Sequence, residues 1–282
     1  MEHFTMDGFK GFRSRFDDIR LVHELMEEIP STLGLEATMP PFILPYYNGV
    51  TPEDCGISAF LFLAGGHFTL HTFSFREVFF ADLVYPSPFD ARRLRYLLEA
   101  GFPCETTVVH HLRREKGRVE DRPVNPDTDF GPHVFLDLED YEGPSRIDEL
   151  FDVFDSMPAR VGMTPIMRPY IVRNRTPDGR NVTSAMTMIA ESHICIHVFP
   201  DERKAYLDVF SCKFFDREAM VRELRALFPG KAVNDALVPR GSAFTTLRTE
   251  RLPEHEKSKA WLSSLRHLQG AWTHPISEPP GG

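Results

Sequence analysis

The sequence predicts an α+β fold made of two homologous α/β-sandwich units, each a mostly antiparallel sheet with helices on one face, arranged as a pseudo-dimer. Three observations predict it. Shifting the chain by 126 residues lays residues 58–103 on residues 184–229 without a gap, and 13 of those 46 positions are identical. The identities include Ser58 with Ser184, His67 with His193, His71 with His197, Phe73 with Phe199, Asp82 with Asp208 and Asp90 with Asp216. Chance rarely keeps polar positions in phase, and a period longer than the roughly 20–50 residues of solenoids makes each copy a small domain. Each copy also holds alternating apolar runs of strand character followed by apolar residues at helical spacing. A sheet with one apolar face must cover it, and each copy supplies the helices to do so.

In the first copy, residues 15–29 place Ile19, Val22, Leu25 and Met26 on one face of a helix. Strands follow at 58–64, 67–73 and 79–84, and Asp90 stands as N-cap ahead of Leu94, Leu97 and Leu98. The second copy repeats the order. Residues 133–138 read as a strand, and 145–155 as a helix carrying Ile147, Leu150, Phe151 and Phe154. Strands are expected at 184–190, 193–198 and 205–211, with Asp216 capping a helix through Met220, Leu224 and Leu227. Residues 113–132, rich in charge, Pro and Asp without apolar period, read as a surface linker. The resulting division is a first copy at 1–115, a linker at 116–131, a second copy at 132–269 and a disordered tail at 270–282.

At 282 residues and 42% hydrophobic content the chain can bury one or two cores. A net charge of −9 with scattered Lys and Arg argues against nucleic acid as a partner. The longest apolar stretch, near 57–64, is far short of the ~20 residues that cross a bilayer, and no charged-then-apolar leader opens the chain. A soluble, cytoplasmic protein with no membrane partner is expected. The cysteines Cys55, Cys104, Cys195 and Cys212 contain no C-x-x-C pair, which fits neither a disulfide framework nor a zinc site, so no metal is expected.

Glu191-Ser192-His193, His197 five residues after the serine, Cys212 twenty residues after it within Asp208-Val209-Phe210-Ser211-Cys212, and Ser184 eight residues before it form one spaced set. This set resembles the cleavage motif of bacterial S-adenosylmethionine decarboxylases, which are pyruvoyl-dependent and made as proenzymes. The resemblance covers the second half directly and the first half through the repeat. It implies self-cleavage between Glu191 and Ser192, leaving residue 192 as a pyruvoyl cofactor at the head of a fragment that stays associated with residues 1–191. It further implies that the substrate is a small amine, that its amine condenses with the new ketone, and that the ketone accepts the electrons released with carbon dioxide. Cys212 would return a proton to the α-carbon, a role suited to a thiol of ordinary pKa ~8.5.

In the family the pyruvoyl residue and the cysteine share one sheet, while a serine and a histidine that assist cleavage come from the facing unit. Here the facing unit is the first copy, so Ser58 and His71 become the orienter and the processing base. Gly66 and Pro86 replace Ser192 and Cys212 in that copy, which leaves one live site per chain. Ser184 and His197 would then face the dead site, although they too are candidates for the live one. His67 and His193 are candidates for positioning the cleavage turn or for a buried structural role. Asp82 and Asp208 read as structural, and Cys55, Cys104 and Cys195 as packing residues. The family's ribose-binding acid, four residues after the processing histidine, falls on Phe75 in the first copy and Asp201 in the second, with Glu77 nearby. The resemblance makes S-adenosylmethionine on the way to spermidine the leading substrate, the loss of that acid makes arginine or ornithine the alternative, and a non-catalytic regulatory role is the third reading. Further oligomerisation is left open.

Overall fold

The computed structural model describes residues 1–46, 55–114, 121–190 and 192–242. The first copy runs β1 (Glu2–Phe9), α1 (Arg13–Phe16), α2 (Ile19–Thr32), β2 (Phe42–Tyr46), β3 (Gly56–Leu63), β4 (Gly66–Phe73), β5 (Val78–Tyr85), α3 (Ala91–Gly101) and β6 (Thr106–Arg113). The second repeats it as β7 (Gly131–Glu139), α4 (Ile147–Arg160), β8 (Tyr170–Arg175), β9 (Asn181–Ile189), β10 (Ser192–Phe199), β11 (Lys204–Ser211), α5 (Arg217–Leu227) and β12 (Lys231–Arg240). Each copy is one antiparallel six-stranded sheet, ordered β2-β3-β4-β5-β1-β6 and β12-β7-β11-β10-β9-β8.

The helices form where the spacing predicts. Asp18, Asp90 and Asp216 cap α2, α3 and α5 through side-chain bonds to first-turn amides. Each sheet buries one face beneath its helices, around Phe4, Met6, Leu25, Phe68 and Leu94 in the first copy and Val134, Leu136, Phe154, Ile194 and Leu224 in the second. The other faces meet across a seam in which Phe60 and Phe62 pack with Met186, Met188 and Cys195. The central strands are consequently buried on both faces although each carries polar residues among its apolar ones.

Several elements differ from expectation. β1, β2, β6, β8 and β12 are additional strands. β2, β6, β8 and β12 lie at the sheet edges, and β1 carries Glu2, His3, Thr5 and Asp7 among its apolar residues, which disguises it. The stretch expected to be surface linker instead buries Arg114, Asp129 and Phe130 at its two ends, and β7 begins already at Gly131. The tail at 270–282 lies outside the described residues. Among the described residues no helix is long and apolar enough to cross a membrane.

The repeat also governs backbone strain. Lys10 and Asp140, and Glu77 and Arg203, adopt left-handed φ values of 50–56° at equivalent turns. Ser192, at φ 151°, lies in a region that is essentially glycine's and has no positive-φ counterpart at Gly66.

Candidate active site

The seam is lined by a polar network obeying the pseudo-twofold. Arg114, at the end of the first copy, reaches into the second: its Nε donates to Asp137 at 2.8 Å and its Nη2 to the Leu207 carbonyl at 2.8 Å, with Asp208 3.6 Å away. Arg240, at the end of the second copy, reaches into the first, donating to Asp7 at 2.7 Å and to Asp82 at 2.7 Å. The guanidinium of Arg240 lies 4.7 Å from the ring centre of Phe210, and that of Arg114 lies 5.2 Å from that of Phe135. All six polar residues are buried. His3 and His133 fill the space between them, His3 lying 3.3 Å from Asp82 and His133 lying 3.8 Å from both Asp82 and Asp208.

Burial holds the imidazoles of His3, His67 and His71 below their ordinary range and brings His133 to about 4 and His197 to about 3. Burial alone would raise Asp82, but the Arg240 charge and the His3 bond outweigh it and hold this carboxyl well below the usual range. Both kinds of shift act in one direction. A group whose folded pKa is depressed stabilises the fold above its unfolded pKa and loses that contribution as pH falls towards the folded value. The imidazoles therefore start to destabilise the fold below pH ~6.5, and the carboxylates join below ~4. Acid titration followed by circular dichroism should show stability declining from about pH 6.5. A midpoint of unfolding that is flat down to pH ~4 would contradict the neutral, buried state of these histidines.

Two short relays run across the seam, one at each end. At one end Ser58 Oγ is 2.9 Å from His71 Nδ1, His71 Nε2 is 2.8 Å from His193 Nδ1, and His193 Nε2 is 3.3 Å from Asp208. The chain thus passes from the first copy into the second. His193 follows Ser192, the first residue of β10, whose Cα is paired with Ser211 of β11, next to Cys212. Ser192 is buried, and its hydroxyl has no hydrogen-bond partner among the described residues. Cys212 packs at the edge of an aromatic cluster of Phe9, Phe73, Phe80, Phe130 and Phe210, drawn from both copies. At the opposite end Ser184 Oγ is 2.7 Å from His197 Nδ1, and His197 Nε2 is 2.8 Å from His67 Nδ1.

The structure thus brings Ser58 and His71 to the Ser192 end, and sets Ser184 and His197 beside His67 at the other. No hydrogen bond joins His71 or Ser58 to the Ser192 hydroxyl; His193 stands between them. Glu191 lies outside the described residues. At its position the first copy has Gly65, a turn glycine at φ 87°. Gly66 could not accept a side chain where it stands, since a Cβ would fall 1.9 Å from the Val84 carbonyl oxygen. Phe75 is buried, with the Arg13 guanidinium 5.7 Å from its ring centre, while Asp201 is exposed and accepts from Asn181 Nδ2 at 2.7 Å. A cleft of about 450 Å³ lined by Arg122, Pro132, Phe214, Phe215, Arg217 and Leu237 opens on the helix-covered face of the second sheet, away from the histidine relay.

His3, Asp7, Arg114 and their counterparts were not among the sequence candidates. Their signal was present: His3 and Asp7 match His133 and Asp137 at a shift of 130, and Arg114 matches Arg240 at 126.

The family-level match to known proteins falls on the second copy. The sequence profile of S-adenosylmethionine decarboxylase matches residues 132–241. The S-adenosylmethionine decarboxylase proenzyme of Symbiobacterium thermophilum is 26% identical over 116 residues, which is 40% of this chain and 84% of that protein. The proenzyme of the same name from Parasynechococcus marenigrum is 33% identical over 85 residues, 29% of this chain and 62% of that protein. A crystal structure of adenosylmethionine decarboxylase from Aquifex aeolicus superposes over 44% of this chain and 96% of its own, at 17% identity and a TM-score of 0.35.

Proposed function

The chain belongs, through residues 132–241, to the S-adenosylmethionine decarboxylase family of carboxy-lyases, and from that premise we propose that it cleaves itself between Glu191 and Ser192 and decarboxylates S-adenosylmethionine for spermidine biosynthesis. The observation that carries the self-cleavage is Ser192 itself: a buried, strained serine with an unpartnered hydroxyl, beside a histidine relay completed by the other copy. Strain of order 1–3 kcal/mol at one residue is what a reactive peptide bond can release. The Ser192 hydroxyl attacks the Glu191 carbonyl, and the peptide bond becomes an ester. Loss of the residue 192 α-proton then expels the Glu191 carboxylate, and hydrolysis releases ammonia to leave the pyruvoyl group.

The surroundings are compatible with such a group, because residue 192 is buried at the head of a central strand, precedes His193 of the relay, and pairs with Ser211, the neighbour of Cys212. Once formed, the pyruvoyl group supplies the electron sink for loss of carbon dioxide. The protein's own residues move the protons. His71 is neutral at working pH because burial lowers its pKa, so it is ready as a base; Ser58 fixes its ring, and His193 passes charge towards Asp208. Cys212 delivers the proton to the product carbon.

His71→Ala should slow self-cleavage by about 10²–10⁴-fold, while Cys212→Ala should leave cleavage intact and lower turnover by a similar factor. Gel analysis of freshly expressed protein and single-substrate kinetics read the two separately. A His71→Ala chain that matures at the normal rate would remove it from the relay's task.

One observation favours a second substrate. The position of the family's ribose-binding acid is Phe75 here, and Asp201 is exposed at the other end of the seam. A site lacking the carboxylate gives up much of its selectivity for a diol. Arginine or ornithine is the alternative. Intact mass followed by carbon dioxide release from labelled S-adenosylmethionine, arginine and ornithine tests both readings. Two fragments with release from the first substrate establish the proposal, two fragments with release only from a basic amino acid move it to the alternative, and an uncut, inert chain points to a regulatory role.

A further inference from the structure

We infer that His67, His197 and Cys195 form a binding site for one thiophilic closed-shell metal ion, zinc or cuprous copper, at the end of the seam opposite Ser192. The three ligand atoms already converge. His67 Nδ1 and His197 Nε2 are 2.8 Å apart, and Cys195 Sγ lies 3.3 Å from the first and 3.6 Å from the second. A zinc ion with bonds of about 2.0–2.3 Å holds its nitrogen and sulfur ligands roughly 3.3–3.6 Å apart. Separation of the two rings by a few tenths of an ångström therefore admits the ion, while the sulfur needs little adjustment.

The nitrogens remote from the cluster face oxygen, as ring orientation by outer partners requires. His197 Nδ1 is 2.7 Å from Ser184 Oγ, and His67 Nε2, which has no hydrogen bond among the described residues, is turned towards Asp208 at 3.9 Å. An N–H on each of these leaves a lone pair on His67 Nδ1 and on His197 Nε2, the two atoms that face each other. In that tautomer pair a metal ion takes the place of the proton that otherwise bonds the two rings, and Cys195 makes this end suit the metal.

The pseudo-twofold supplies an internal control. At the Ser192 end the same histidine pair recurs as His71 and His193, but Thr69 occupies the place of Cys195. The soft donor is thus particular to the end that has lost its serine. Two other histidine and carboxylate groupings, His3 with Asp82 and His133, and His67 with His193 and Asp208, share their carboxylates with Arg240 and Arg114, whose charge opposes a cation. Around Cys195 the neighbours are Phe60, Phe62, Met186 and Met188, a dry and polarisable shell favouring soft ions. Burial pushes the Cys195 thiol up, so without metal it stays protonated, and coordination would release that proton. His67 belongs to one sheet and the other two ligands to the facing sheet, so the ion would pin the seam, and because the site is fully buried it would load during folding.

The full chain, expressed with zinc or copper supplementation and purified without chelator, should carry one ion of zinc or copper per chain, and elemental analysis decides which. Refolding with Co²⁺ should give a thiolate-to-cobalt charge-transfer band. Cys195→Thr, which installs the first copy's residue, should lose the ion and the band while still cutting at Glu191/Ser192. Folded wild-type protein that holds neither metal after refolding in either, or a variant that binds as much as wild type, would overturn the site. Should the variant fail to fold, presence or absence of the cobalt band in wild type still decides. Metal content and self-cleavage are read independently, so failure of one leaves the other standing.

Discussion

Ser192→Ala yields a single uncut chain of 32.3 kDa that releases no carbon dioxide from any of the three substrates. On the proposed mechanism the effect is total because one residue does two things: its hydroxyl is the nucleophile that breaks the peptide bond, and its carbon skeleton becomes the electron sink. The substitution removes only an oxygen that has no hydrogen bond among the described residues, so stability should change little or rise slightly as an unsatisfied buried group is lost. A folded, uncut, inactive variant with an unchanged unfolding midpoint is the expected result. Full activity in an uncut Ser192→Ala chain would end the pyruvoyl reading, whereas cleavage persisting at this bond would mean that another nucleophile acts there.

Arg240→Met destabilises the fold by about 3–5 kcal/mol, a fifth or more of the ~5–15 kcal/mol that domains usually possess. The guanidinium is the shared partner of Asp7 and Asp82, and both carboxylates are buried in the seam. Removing it leaves two charges without water or counter-charge. The size of the loss measures the cost of those orphaned carboxylates, not the net worth of the ion pair, and Arg240→Met combined with Asp7→Asn and Asp82→Asn should recover part of it. Urea unfolding of the uncut Ser192→Ala background gives a reversible measurement. A single Arg240→Met variant as stable as its parent would show that these acids are protonated or hydrated instead.

The repeat made the two-sheet architecture and the cross-copy placement of Ser58 and His71 readable before any coordinates. The strands from β3 to β5 and from β9 to β11 read as short apolar or alternating runs, and α3 and α5 announce their caps. The edge strands β2, β6, β8 and β12 carried no such signal, because one side of each has no partner strand and their side chains are mixed. β1 failed to register for a different reason, one that also hid the inward-facing polar residues of β7, a strand the sequence did predict at 133–138. The polar residues of both strands point into a seam between sheets, so the usual equation of polar with exposed is inverted, and His3, Asp7 and Arg114 pass for surface residues. His193 was visible as a repeated histidine, but only the packing of the sheets placed it between His71 and Ser192.

The strand order of the second sheet, β12-β7-β11-β10-β9-β8, has a consequence for a chain cut at Glu191/Ser192. β7, β8 and β9 then belong to one polypeptide and β10, β11 and β12 to another, with β7 held between β11 and β12. Separating the pieces means unzipping three ladders at once, so the mature molecule stays whole without any covalent link. Its route back is another matter. Refolding of the uncut chain is unimolecular, but two pieces must first find each other, and at low concentration they will not. The proposed cut would therefore act as a ratchet: it would leave the native structure standing while abolishing its concentration-independent recovery, and the working lifetime of each molecule would become the waiting time to its first complete unfolding.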